Sequence, residues 1–223
     1  MSNSIPLITI DGTSGVGKST VSGALAMELS WNYLNSGALY RVCAVHCLKR
    51  EVDHEELLPE ELSALVLSLP IACSRDRVTL DGEDVTETIR TEDCGLLASK
   101  LAARAEVREA LLQKQRAFLQ APGLIAEGRD MGTVVFPDSP LKIFLTATNE
   151  IRGQRRYEQL KSKGMDANLD AIIADLDERD ERDKTRNVAP LVPAEDALII
   201  DTGLMSAQEV IEKILAEWQH RQS

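Results

Sequence analysis

The hydrophobic positions alternate between strand-like and helix-like stretches along the whole chain. A buried-type apolar run (Leu7, Ile8, Ile10) predicts a first strand over Leu7 to Asp11, and a helix over Lys18 to Ser30 follows a glycine-rich connection. Tyr33-Leu34-Asn35 reads as a short second strand. Ser36 stands where an N-cap belongs, ahead of a helical run from Ala38 to Lys49. From Asp53 to Leu69 an acidic connector leads into a short helix whose stripe is Leu62, Leu65, Val66 and Leu69. The pattern changes at Pro70: Ile71-Ala72-Cys73 and Val78-Thr79-Leu80 are short β-type runs, Asp81-Gly82 is a turn signal, and Val85 is placed to start a third strand. Helical spacing returns from Thr91 to Gln120, as two helices meeting near Ala105, and Pro122-Gly123 stops it. Strands at Leu124 to Ala126 and Leu141 to Leu145 precede charged helices at Asn149 to Lys163 and about Leu169 to Lys184. A last strand (Ala197 to Asp201) and an amphipathic helix capped by Ser206 and running to about Arg221 end the pattern. No internal repeat or low-complexity segment interrupts it. The predicted class is α/β, a parallel sheet flanked by helices, in which the β patch near Pro70 is an insert that either shapes a pocket or is a surface excursion.

The connection after the first strand carries the clearest chemistry. Gly12, four residues, then Gly17-Lys18-Ser19 fits the P-loop pattern, between a strand and a helix as that motif requires. Gly12, Gly15 and Gly17 let the backbone take positive φ and approach a ligand closely. The N–H groups of Thr13, Ser14, Val16 and Thr20 belong to a loop and helix start that face an anion. Lys18 can reach outer phosphates, and the Ser19 hydroxyl can ligate Mg²⁺. The alternative, a glycine-rich turn before an ordinary helix, leaves the Lys and Ser unexplained. A nucleoside triphosphate is the expected ligand.

Composition narrows the setting. The 223 residues suffice for one core plus a small insert, and 43% hydrophobic with 27% charged content is that of a soluble globular domain. A net charge of −11 argues against wholesale binding of nucleic acid or acidic membranes, while anionic substrates can still be held where Arg and Lys are gathered in one cleft. The Met1-Ser2-Asn3-Ser4 start has no signal-peptide character, and no apolar run reaches membrane-spanning length. Cys43 and Cys47 lie one helical turn apart beside His46, and with Cys73 and Cys94 they read as reduced thiols rather than metal ligands. A cytoplasmic protein is expected.

Four further clusters are candidates. Ser36, Tyr40 and Arg41 gather on the first turns of one helix, as a cap with two partly exposed residues or as ligand contacts. Glu127-Gly128-Arg129-Asp130 ends a buried strand, where open parallel sheets bind ligands. There Arg129 offers a planar fork for phosphate and Asp130 an acceptor for a sugar hydroxyl or base amino group, unless the two simply pair with each other. Arg152, Arg155, Arg156, Lys161 and Lys163 make one helix basic, with ordinary acidic partners nearby. Arg179, Asp183 and Arg186 share a face at i, i+4 and i+7 if their helix continues that far, an arrangement suited to a mobile cover over phosphates. Ser99 and Arg108 do not stand out by periodicity.

Taken together these residues resemble the bacterial-type cytidylate (CMP) kinases of the nucleoside monophosphate kinase group. The resemblance rests on the strand and loop from Ile8 to Lys18, on Asn35-Ser36-Gly37-Ala38-Leu39-Tyr40-Arg41, and on Val107 to Leu112 with Gln115-Arg116. It rests most on Gly123 to Pro137 and on Glu178 to Asp183 with Asn187-Val188-Ala189-Pro190-Leu191. It implies a single P-loop NTPase-type kinase domain over 1–223, a monophosphate-binding insert at about 53–92 and a helical lid at about 150–190. The implied activity is transfer of the ATP γ-phosphoryl group to CMP or dCMP, with Mg²⁺, by a monomer. Ser36, Arg41, Arg108 and Arg129 match positions that hold the nucleotide monophosphate as a whole; Ser99, Asp130 and Asp183 match base or sugar contacts; Arg179 and Arg186 match lid contacts to phosphate. Tyr40 and Gly128 join this substrate set. Thr13 replaces a proline common in the family loop, Ser19 a frequent glycine, and Glu127 the usual aspartate.

Phosphoryl transfer then needs alignment and charge compensation, with no nucleophilic side chain. Lys18 and Mg²⁺ are expected to screen the β- and γ-oxygens, Arg129 and Arg41 to orient the acceptor, and Arg155 or Arg156 with Arg179 and Arg186 to close over the transferring group. Two rivals remain at this point: a small P-loop kinase for another monophosphate or alcohol, and a nucleotide-binding switch.

Overall fold

The computed structural model describes residues 5–74 and 77–222. The opening Met1 to Ser4, on which the absence of a leader was read, lies outside these. The first strand, β1 (Leu7–Gly12), is buried along its whole length and runs into the phosphate loop and α1 (Lys18–Glu28). Then come β2 (Asn32–Asn35) and α2 (Ser36–Arg50), followed by α3 (Pro59–Ser68). Strands β3 (Ile71–Cys73), β4 (Val78–Leu80) and β5 (Glu83–Asp84) form a small antiparallel sheet. Helices α4 (Glu92–Leu101) and α5 (Ala105–Arg116) lead to β6 (Leu124–Glu127) and β7 (Leu141–Thr146). The chain closes with α6 (Asn149–Ser162), α7 (Leu169–Thr185), β8 (Leu198–Asp201) and α8 (Ala207–Gln222).

The main sheet has the order β2-β6-β1-β7-β8, and all of its pairings are parallel. A parallel sheet must be covered on both faces, which is why β1, β6 and β7 are near-continuous apolar runs. The side-chain alternation divides them: Ile8, Ile10 and Ile125 pack with Val21, Leu25, Ile214 and Trp218 on one face. Leu7, Leu124 and Ala126 pack with Leu39, Val42, Val107 and Leu111 on the other. Because Ile10 is registered with Glu127, and Gly12 with Leu145, the carboxyl ends of β1, β6 and β7 form one rim.

Several expected boundaries move, each for a local reason. Helix α1 ends at Glu28, and Ser30 takes a left-handed φ of 55° to turn the chain into β2. The N-cap of α2 is Asn35 rather than Ser36: the Asn35 side chain accepts from the Ala38 N–H at 3.1 Å, which frees the Ser36 hydroxyl for another partner. The β4–β5 turn is Asp81-Gly82, both at positive φ as a two-residue hairpin demands. The third strand precedes Val85, whose N–H ends the ladder by donating to the Val78 carbonyl at 2.9 Å. Helix α5 stops at Arg116, short of Gln120, and α7 stops at Thr185, so Arg186 lies just past the helix in an extended conformation. A single π-helical turn over Met131–Val135, beyond β6, has no counterpart in the periodicity.

Candidate active site

The phosphate loop takes the shape its glycines allow, with φ of 145° at Gly12, 79° at Gly15 and 90° at Gly17. Gly17 caps α1 with no side-chain bond, so the first N–H groups of an 11-residue helix face the rim. Lys18 is buried, and its Nζ donates to the carbonyls of Gly12 (2.8 Å) and Thr13 (2.6 Å). Burial, then the charges of Arg129 and Arg179, pull the Lys18 pKa well below the usual lysine value; Glu127 and Asp11 oppose that shift.

Ser19 and Glu127 meet at the end of β6. The Ser19 hydroxyl donates to Glu127 Oε1 at 2.7 Å, and the Tyr33 hydroxyl donates to the same oxygen at 2.8 Å. Burial, then the Glu127 charge, push the Tyr33 pKa upward, which keeps that phenol a donor. Glu127 Oε2 is buried and has no protein partner. An orphaned carboxylate oxygen beside a serine hydroxyl at a phosphate loop is a donor set of the kind Mg²⁺ accepts.

Asp11, the acid that ends β1, is turned to the backbone. Its two oxygens accept from the N–H groups of Met131 and Gly132, each at 2.8 Å. Burial raises its pKa to about 6, and those two amide bonds hold it from rising further. The π-helical turn is the result: its amides bend toward a carboxylate 120 residues earlier in the chain.

Beside the loop lies a cavity lined by Ser36, Tyr40, Arg41, Ser99, Arg108, Gly128, Arg129, Asp130, Arg179, Asp183 and Arg186. Every residue expected to contact the second substrate is therefore in one place. Arg129 and Asp130 do not pair with each other. Arg129 Nε donates to Asp183 Oδ2 at 3.0 Å, and Asp130 is bonded to Arg108. Arg186 reaches Asp183 as well, at 3.7 Å, although it lies beyond the helix. Burial would lift the Asp183 pKa, but Arg129, Arg179 and Arg186 outweigh it and hold the carboxyl below the usual range. Arg179 shows the opposite strain: burial, then Arg129 and Arg41, lower its pKa to about 10, and its Nε is buried without a partner. Arg41 donates to the carbonyls of Ile89 (2.5 Å) and Thr91 (3.4 Å), against Gly95 of α4. Ser99 accepts from Arg182 Nη1 at 3.1 Å.

Arg155 and Arg156 stand outside this cavity. Arg155 donates to Thr202 Oγ1 (3.1 Å) and to the Thr202 carbonyl (2.6 Å), and Thr202 is itself bonded to the Val16 carbonyl of the loop. Arg156 pairs with Glu92 of α4 and with Gln159.

Arg152 was not singled out, yet it is the buried arginine of α6: it donates to the Ser14 carbonyl at 2.9 Å and pairs with Asp180 of α7 at 2.6 Å. In the sequence it is one arginine among several. Asp11, Tyr33 and Gln115 were likewise given no role, and only Asp11 carries a signal, as an acid ending an apolar strand.

Comparison with known proteins agrees with this geometry. Residues 8–220 match the family described as cytidylate kinase. A cytidylate kinase of Shewanella loihica is 52% identical over 219 residues, which is 97% of this chain and 95% of that protein. One from Pseudomonas aeruginosa is 52% identical over 219 residues, covering 96% of each. With a phosphate loop, a cation-lined cavity on the same rim and a match of this extent, the chain belongs to the cytidylate kinase family.

Proposed function

We propose that the protein transfers the γ-phosphoryl group of ATP to CMP or dCMP. The observation that carries this reading is the shared wall of loop and cavity: the Arg129 charge adds to burial in depressing the pKa values of both Lys18 in the loop and Arg179 in the cavity. Three clustered cations, two of them with depressed pKa values, are a site prepared for anions. A phosphate oxygen of the monophosphate attacks the γ-phosphorus, and the bond to the ADP oxygen breaks. Lys18 screens the oxygens of the donor, Arg129 and Arg41 orient the acceptor phosphate, and Arg179 and Arg186 add charge from the lid side. Arg155 and Arg156, both on α6, serve that closure from outside the cavity. Residues 150–190 act as the lid and 53–92 as the acceptor-side insert, and closure excludes water. Ser19 and Glu127 are the residues that would hold Mg²⁺, which supplies further charge neutralisation on the phosphates when bound. A monomer suffices, because one chain lines the whole cavity. The four free cysteines suit a reducing cytoplasm, and among the described residues no helix is long and apolar enough to cross a membrane.

An ADP-release assay with CMP, dCMP, UMP, AMP and shikimate tests the reading. CMP and dCMP are expected to exceed UMP in kcat/KM by about tenfold or more, with AMP and shikimate inert. A preference for AMP or shikimate, or ATP bound but never consumed, would overturn it. Glu127→Gln is expected to weaken the apparent Mg²⁺ affinity about tenfold while CMP binding, followed by calorimetry, stays unchanged.

A further inference from the structure

The base end of the cavity is built as two rungs between α2 and α5. Ser36 and Tyr40 are four residues apart on α2; Arg108 and Gln115 are seven apart on α5, so each pair shares a helix face. Arg108 stacks over the Tyr40 ring at 5.7 Å and holds Asp130, forming one rung. Ser36 and Gln115 form the other: the Ser36 hydroxyl donates to Gln115 Oε1 at 2.7 Å, with Gln115 only 1% exposed. The phosphate end lies elsewhere, where Arg41, Arg129 and Arg179 act on one another.

A serine hydroxyl has one proton and two lone pairs. With its proton committed to Gln115, Ser36 can offer the cavity only lone pairs, and the Asp130 carboxylate, which lines the same cavity, is also an acceptor. We infer that Gln115 is a positioning residue for specificity: by consuming the Ser36 proton it makes the base end read an amino group and reject a carbonyl oxygen at the same place. This rests on the proposed pyrimidine-monophosphate reading and deepens it. Cytosine presents an exocyclic amino donor where uracil presents a carbonyl. A uracil oxygen at that place would meet the Ser36 lone pairs instead of a donor.

Gln115 touches no substrate in this scheme, so the test is the ratio of kcat/KM for CMP to that for UMP. Misfolding lowers both rates together and leaves their ratio unchanged. In Gln115→Met the Ser36 proton is released to a ligand carbonyl, and the ratio is expected to fall about tenfold, mainly through a lower KM for UMP. In Ser36→Ala the hydroxyl is gone, so adding Gln115→Met to that background is expected to leave the ratio where Ser36→Ala alone sets it. A Gln115→Met ratio equal to or above that of the unmodified protein would overturn the inference, as would the same fall in the Ser36→Ala background. Failure of the wider reading looks different: the unmodified protein would not consume ATP with CMP at all.

Discussion

Arg129→Ala is expected to lower kcat by about 10²–10³-fold, roughly 3–4 kcal/mol of barrier, with the fold intact. Arg129 is the cation between the loop and α7: its Nε bonds Asp183 of α7, and its charge acts on Lys18, Arg41 and Arg179. Losing it takes positive charge from the place where negative charge moves between two phosphates. The fold survives because Asp183 retains Arg179 and Arg186 as partners, so no buried carboxylate is left uncompensated. Arg41 and Arg108 remain in the cavity, so the loss is expected in kcat more than in KM for CMP. Steady-state kinetics with circular dichroism reads both quantities, and turnover equal to that of the unmodified protein would remove Arg129 from the mechanism.

Gly12→Ala is expected to abolish ATP binding and to cost about 2–3 kcal/mol of stability. At a φ of 145° an L side chain is strained wherever it points. Here it would also run into the carbonyl of Leu145, with the carbonyl carbon 3.1 Å away. Leu145 is fully buried in β7 and registered directly with Gly12, so that carbonyl cannot withdraw without breaking the sheet. Gly17 is the control. Its φ is 90°, but an added Cβ meets nothing within 4 Å, so Gly17→Ala incurs the backbone strain alone. Thermal melting and ATP titration of the pair should separate clearly, and equal effects would show that space at Gly12 is not what matters.

The layout of strands and helices was legible because burial on both faces leaves long apolar runs, and the glycine spacing marked the loop by itself. What escaped notice is what tertiary contacts decide. The Met131–Val135 turn follows from the Asp11 carboxylate, and nothing local in Met131-Gly132-Thr133-Val134-Val135 announces it. Ser36 looked like a cap because it stands at the right place, but Asn35 precedes it with a better acceptor. Arg152 was hidden among like residues: only packing shows that it, rather than Arg155 or Arg156, is buried against the loop and Asp180. The cavity residues Ser99 and Arg108 have no periodic signature either. They came from the resemblance, and the coordinates gather them into one cavity with the rest.

Asp11 has a consequence for how distance is kept. It lies in β1 one residue before the glycine that opens the phosphate loop, and its carboxylate grips the two amides that follow Arg129 and Asp130. The seat for the donor and the seat for the acceptor are thus gauged from a single anchor, like two stops filed on one ruler. Helices α6 and α7 contribute no bond to that anchor, so the spacing between the loop and Arg129 is set by the sheet.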